Sequence, residues 1–265
     1  MNTSKPSSTL RFLERNEVFT LDEYMRAVDP SVTERTRYEN LSNAVRRGQA
    51  YRLKRGLYAS NLGIYRDRVP NVYLVASKAA PDAVVSHHSA LELHGVAHTP
   101  FRTVYYTSLH RVLQFEVRGY RFVCTEPPKG LADNARFTTQ ARSGEALVPV
   151  TTRERTLVDC MRDLSSAGGL EELLRSIGGF TSISQEDLAE YLRVVDSPTA
   201  TARVGWVLEL FGESWGVDTA FLDDVARRVG RGSYRLLRSE EPQRFVSRWR
   251  LYVPADLPYG EWMRG

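Results

Sequence analysis

Thr36, Asn40, Asn43 and Arg47 recur at intervals of three and four residues, and their side chains are of the types that read base-pair edges. Asn can bond both edge groups of adenine, Arg both acceptors of guanine, and a Thr methyl can pack on thymine. Thr33 and Arg37 fall on one flank of this set, Arg35 and Arg46 on the other. Just beyond, Arg52, Lys54 and Arg55 alternate with apolar residues before Gly56, a placement of cations suited to phosphate. Two further groupings suggest other chemistry. In His87-His88-x5-His94-x3-His98, Glu92 follows His88 by four residues, so both side chains can share a helix face and bind zinc. The metalloprotease pattern H-E-x-x-H is missing, and capping or packing is the simpler role for these histidines. Gly212-Glu213-Ser214-Trp215-Gly216 matches the G-x-S-x-G of a hydrolase elbow. That turn needs a strand before its serine, whereas a predicted helix precedes this one.

The first group needs a helix to carry it. Tyr38, Leu41 and Val45 form a stripe at helical spacing that is expected to face a core, so a helix is predicted over Thr33–Arg47, closed by Gly48 in the left-handed conformation. Such a rod, roughly 22 Å long, fits a major groove about 12 Å wide. Upstream, Ser7–Asn16 has a helical pattern, Thr20 and Glu23 form a capping box for a second helix, and Asp29-Pro30-Ser31 breaks the chain before the third. Tyr51–Tyr58 reads as a hairpin around Gly56. Three helices followed by a hairpin are the order of a winged helix-turn-helix, predicted for residues 1–62. A surface helix with a solvated polar face is the competing account, and charge weighs against it. Residues 33–56 hold seven Arg and Lys against two Glu, whereas residues 61–265 hold 25 basic and 25 acidic residues. The positive field is concentrated on the reading element.

With 265 residues, 42% hydrophobic and 26% charged, the chain is long enough for a second folded domain, predicted over residues 68–265. Strand patterns at Ala83–Val85, Thr103–Thr107, Val112–Val117, Tyr120–Thr125 and Leu147–Val150 accompany helical ones at Asn71–Ala80 and Ser89–His94, giving a mixed, chiefly antiparallel sheet. From Thr151, where Thr151-x-x-Glu154 reads as another capping box, helices dominate up to Val229, and a late strand is expected over Phe245–Val253. The predicted class is α+β. Cys124 and Cys160 are expected to be buried, reduced thiols. No apolar run reaches the roughly 20 residues of a membrane-spanning helix, and the first residues lack a signal peptide's apolar region, so a cytoplasmic location is expected. No cofactor and no catalytic role are expected.

Arg227, Arg228, Arg231, Arg235, Arg238, Arg244, Arg248 and Arg250 form a second basic tract, partly offset by Glu240 and Glu241. Most such tracts face solvent, and contact with flanking phosphates is the functional alternative.

Three segments together carry a family resemblance. Leu53-Lys54-Arg55-Gly56-Leu57-Tyr58, then Ser86-His87-His88-Ser89-Ala90-Leu91-Glu92-Leu93-His94-Gly95, then Pro149-Val150-Thr151-Thr152-Arg153-Glu154-Arg155-Thr156-Leu157-Val158-Asp159 resemble the AbiEi antitoxins of type IV toxin-antitoxin systems. The likeness spans most of residues 8–210. It implies a bacterial repressor that binds inverted repeats in the promoter of its own operon. It also implies a second domain that opposes a nucleotidyltransferase-type toxin without holding it in a stable complex, and a structural role for the histidine block. The expected partner is double-stranded DNA, with one half-site per chain and two copies on an inverted repeat, without dimerisation in solution being required. Two alternatives stay open. One is a DNA-targeted metal-dependent hydrolase or nuclease built on His88, Glu92 and His94; the other is a plain transcriptional regulator with no toxin partner.

Overall fold

Ser7 accepts a hydrogen bond from the Leu10 amide and opens α1 (Ser8–Arg15). The computed structural model describes residues 7–238 and 242–262, so the first six residues of the predicted N-terminal domain, and Glu240 and Glu241, lie outside the described residues. β1 (Val18–Thr20), α2 (Leu21–Ala27) and α3 (Glu34–Arg46) follow. Thr20 and Glu23 make the expected capping box: the Glu23 amide donates to Thr20 Oγ1 at 3.1 Å, and the Thr20 amide to Glu23 Oε2 at 2.7 Å. β2 (Ala50–Lys54) and β3 (Leu57–Ser60) form an antiparallel hairpin that turns at Arg55-Gly56, where Gly56 takes φ +78°. β1 adds to the other side of β3, giving the order β1-β3-β2. Three residues are too few to show an alternation, which is why spacing does not reveal β1. Leu13, Phe19, Tyr24, Leu41, Ala44 and Tyr58 fill the core between helices and sheet.

The second unit contains α4 (Val72–Ser77), β4 (Val84–Val85), α5 (His87–Leu93), β5 (Thr103–Thr107), β6 (Phe115–Val117), β7 (Tyr120–Thr125), β8 (Thr138–Ser143) and β9 (Ala146–Thr151). Its six strands lie in the order β6-β7-β5-β4-β9-β8. β5 runs parallel to β7, and β4 to β9, so the sheet is less antiparallel than expected. β8 escapes the sequence reading because it is an edge strand of sequence TTQARS, with no apolar alternation to mark it.

Helices then dominate: α6 (Arg153–Arg162), α7 (Leu170–Ile177), α8 (Gln185–Val195), α9 (Pro198–Trp215) and α10 (Thr219–Arg228). α6 is capped by Thr152, whose Oγ1 accepts from the Arg155 amide at 3.3 Å; Thr151 instead ends β9, and Glu154 accepts from the Ser184 amide at 2.8 Å. Arg155 is fully buried. Its guanidinium donates to Asn134 Oδ1 at 2.6 Å and to the carbonyls of Asn134 and Arg136 at 2.8 Å each, and it pairs with Asp159 at 3.4 Å. Asp159 also accepts from the Tyr191 hydroxyl at 2.8 Å. A buried charge is tolerable only when so fully satisfied, which makes this block an internal scaffold.

β10 (Tyr234–Arg235), β11 (Gln243–Val246) and β12 (Leu251–Pro254) follow, ordered β10-β12-β11, with α11 (Tyr259–Trp262) after them. The single late strand expected over Phe245–Val253 is divided by a 3-10 turn at Ser247–Trp249, which buries Trp249 against Gly205 of α9. The class is α+β, as expected. No helix among the described residues is long and apolar enough to cross a membrane. Cys160 is buried and Cys124 half-buried, both are free thiols, and burial pushes both thiol pKa values up.

The two units share buried surface across the predicted boundary. Val18 and Leu57 pack into the core under the six-stranded sheet. Lys78 Nζ donates to Glu23 Oε1 at 2.6 Å, the Asn71 amide donates to Glu17 Oε1 at 2.7 Å, and the Arg118 guanidinium lies 5.3 Å from the Tyr51 ring centre.

Candidate nucleic-acid interface

Thr33 caps α3: its Oγ1 accepts from the Thr36 amide at 3.2 Å and shares a 2.9 Å hydroxyl contact with Thr36 Oγ1. The helix is rotated from its expected setting. Leu41 and Ala44 are buried and Arg37 half-buried, whereas Tyr38 is 51% exposed and Val45 only partly covered. The small Ala44 lets the helix approach the core closely, and the phenol of Tyr38 tolerates water. The outward face therefore centres on Arg35, Glu39 and Arg46, with Thr36, Asn40 and Arg47 still exposed beside it. Arg35 pairs with Glu39 at 2.9 Å, and Arg46 donates to Asn43 Oδ1. The side chains of Asn40 and Arg47 have no hydrogen-bond or ion-pair partner among the described residues. Tyr38, assigned to the core by spacing, is the surface residue that sequence reasoning missed.

Arg37 needs a correction. Its Nη1 donates to the carbonyls of Met25 at 2.6 Å and Val28 at 3.4 Å, so the guanidinium closes the C-terminal end of α2 instead of facing outward.

Lys54 needs another. Alternation along a strand would put Arg52 and Lys54 on one side, but the ladder shifts register between them, and this bulge sends the two cations apart. Lys54 Nζ donates to the Ala79 carbonyl at 2.7 Å and lies 5.5 Å from the Phe115 ring centre, where burial lowers its pKa. Arg52 and Arg55 remain exposed, with Arg52 Nε donating to the Lys54 carbonyl at 3.2 Å. Arg26, exposed at the end of α2, lines a groove of about 520 Å³ together with Arg55 and Lys78.

His88 and His94 bond different partners, although His88 Nδ1 also lies 3.9 Å from Glu92 Oε2. His88 stacks on Phe101 with centroids 3.7 Å apart, and its Nε2 meets Glu172 Oε1 at 3.1 Å. His94 Nε2 bonds the Thr151 carbonyl at 2.8 Å, and Glu92 accepts from the Tyr73 hydroxyl and the Phe101 amide, both at 2.9 Å. Among the described residues no three His, Cys, Asp or Glu are grouped to hold a metal ion. Ser214 lies within α9, whose helix runs on through Trp215, and its Oγ donates to the Phe211 carbonyl at 2.7 Å; the strand–serine–helix turn of an elbow is not formed. In the C-terminal tract Arg227 and Arg228 share Asp224, and Arg248 bridges Glu209 and Asp223.

No family model matches the chain, and no curated protein does. A solved structure is similar: the RV2827C protein of Mycobacterium tuberculosis, at 14% identity and a TM-score of 0.61, over 92% of this chain and 89% of that one. The likeness extends over both units and is one of fold.

Proposed function

We propose that the N-terminal unit is a winged helix-turn-helix and that the chain is a sequence-specific repressor acting on double-stranded DNA. In this reading α3 lies in the major groove, and Arg52 and Arg55 at the hairpin tip meet the backbone. The observation that carries it is the shared exposure of Thr36, Asn40, Arg46 and Arg47 on a capped helix beside a hairpin tip with two outward arginines. Each of these side chains has the hydrogen-bonding capacity that base edges or phosphates require. The resemblance to AbiEi antitoxins extends the reading: the repressor acts on its own operon, and the second unit opposes a nucleotidyltransferase toxin.

Footprinting the DNA upstream of its own gene is expected to reveal an inverted repeat. Gel shifts then separate the roles. Asn40→Ala should relax preference at one base pair per half-site by about 1–3 kcal/mol, while Arg55→Ala should weaken all sequences alike and lower the salt slope by about 1. Equal losses on operator and random DNA for Asn40→Ala would remove Asn40 from base reading, and absence of any operator would remove the repressor. A neighbouring gene that encodes no nucleotidyltransferase would leave a regulator without an antitoxin role.

A further inference from the structure

The row of α3 that faces away from the core begins with an arginine already held by a carboxylate. Arg35, Glu39, Ser42 and Arg46 follow one another at helical spacing, opposite the buried Leu41 and Ala44. Arg35 is the second residue of the helix, after its Thr33 cap, and its side chain is 89% exposed. Glu39, one turn further on, is 57% exposed, and its Oε1 accepts from Arg35 Nε at 2.9 Å. A guanidinium offers two forks of parallel N–H groups: one joins Nε to an Nη, the other joins the two Nη groups. The bond to Glu39 occupies the first fork. The second has no partner among the described residues and is open to solvent.

The open fork selects among bases. It presents donors only. In the major groove guanine shows two adjacent acceptors, N7 and O6, whereas adenine sets a donor beside N7, thymine a methyl beside O4, and cytosine an amino donor. Guanine alone matches both Nη groups. Position agrees with this match, because the N-terminal residues of a recognition helix are those that reach base edges, and Arg35 lies in the first turn. The pair also accounts for an acidic residue on a face turned toward DNA. Phosphate would repel an isolated Glu39, but here its charge is balanced by Arg35, and in return it orients the guanidinium, which then loses less rotamer freedom on a base. We propose that Arg35, positioned by Glu39, reads one guanine in each half-site through Nη1 and Nη2, a role that rests on α3 lying in the major groove as proposed above.

The test uses gel shifts of the intact protein on the operator found by footprinting. A set of operator copies replaces one guanine per half-site by 7-deazaguanine, which lacks the N7 acceptor but keeps its base pairing, and a random duplex of equal length serves as reference. One of these copies is expected to bind about tenfold more weakly than the unaltered operator. That penalty should vanish in Arg35→Ala, as a coupled pair requires. Arg35→Lys keeps the charge without the fork, so it should retain the salt slope and lose the penalty. Glu39→Ala should bind random duplex more tightly, since a carboxylate leaves the DNA face, yet shrink the penalty to about threefold because Arg35 is no longer oriented. Glu39→Gln, whose amide oxygen still accepts from Nε, should keep most of it. Circular dichroism checks that these surface variants fold. A penalty that persists in Arg35→Ala, full discrimination in Arg35→Lys, or an operator indifferent to 7-deazaguanine at every position would overturn the role of Arg35 and leave α3 as the bound helix. An unchanged penalty in Glu39→Ala would remove Glu39 as the positioning residue. Absence of any sequence preference in the unaltered protein would instead remove the groove placement, and the role of Arg35 with it.

Discussion

Arg37 and Lys54 carry the same formal charge as Arg47 and Arg55, yet their charged groups hold the molecule together. Arg37 supplies charged hydrogen bonds to two carbonyls at the end of α2. Hydrogen bonds from charged donors contribute about 1.5–3 kcal/mol, so Arg37→Ala is expected to lower unfolding free energy by that amount in urea titrations. The folded fraction should still bind DNA normally. Lys54→Met keeps an apolar stem beside Phe115 and loses the bond to Ala79, so the salt slope of DNA binding should stay constant while stability falls. A slope that drops by about 1 in Lys54→Met would return this lysine to the phosphate contacts.

Between α9 and the C-terminal sheet, packing overrides local preference. Helix propensity alone predicts that Gly205→Ala stabilises α9 by about 1 kcal/mol. A Cβ at that position, however, would lie 2.2 Å from the Trp249 ring, which is fully buried and held by an Nε1 hydrogen bond to Glu209 at 2.7 Å. The ring has no room to withdraw. Overpacking of this kind costs about 1–3 kcal/mol, so the net change in Gly205→Ala is expected to be destabilising, and a raised urea midpoint would contradict the packing described. The same element explains why Gly212-Glu213-Ser214-Trp215-Gly216 is no elbow: helical hydrogen bonding carries on to Trp215, and Gly216 ends it in the left-handed conformation.

Across the whole molecule, acid should weaken the fold in two stages. Burial holds the imidazoles of His87 and His94 below the ordinary histidine pKa. They stay neutral in the fold but take up protons when it opens, so stability present above about pH 6.5 is lost as pH falls through that range. Burial alone would raise the carboxyls of Glu23, Asp82, Asp163 and Glu172. Hydrogen bonds outweigh it, from Lys78, Ser108, Ser165 and the Thr99 amide respectively, and hold all four below the ordinary carboxylate range. Their contribution is complete above about pH 4.5 and is lost progressively below it. Because Glu23 joins the N-terminal unit to Lys78, the second stage should also loosen the contact between the units. Melting temperature measured from about pH 8 to about pH 3 should fall in both windows, and a flat profile would contradict the assignment.

Caps and turns are chemistry within a few residues, which is why Ser7, the Thr20–Glu23 box, Gly48 and Gly56 are legible in the amino-acid order, and with them α1, α2, α3 and the hairpin. The local excess of positive charge is legible for the same reason. Spacing sets the exposed face of α3 only to within roughly 65° of rotation, since it cannot tell whether Tyr38 or Ala44 presses inward. Contacts between distant segments settle the rest. The seat of Lys54 on the Ala79 carbonyl, the capture of Arg37 by α2, the parallel strand pairs and the seat of Trp249 on Gly205 each join residues nine or more positions apart in the chain. Their geometry depends on which surfaces exclude water from each other, and that is settled only when the elements pack.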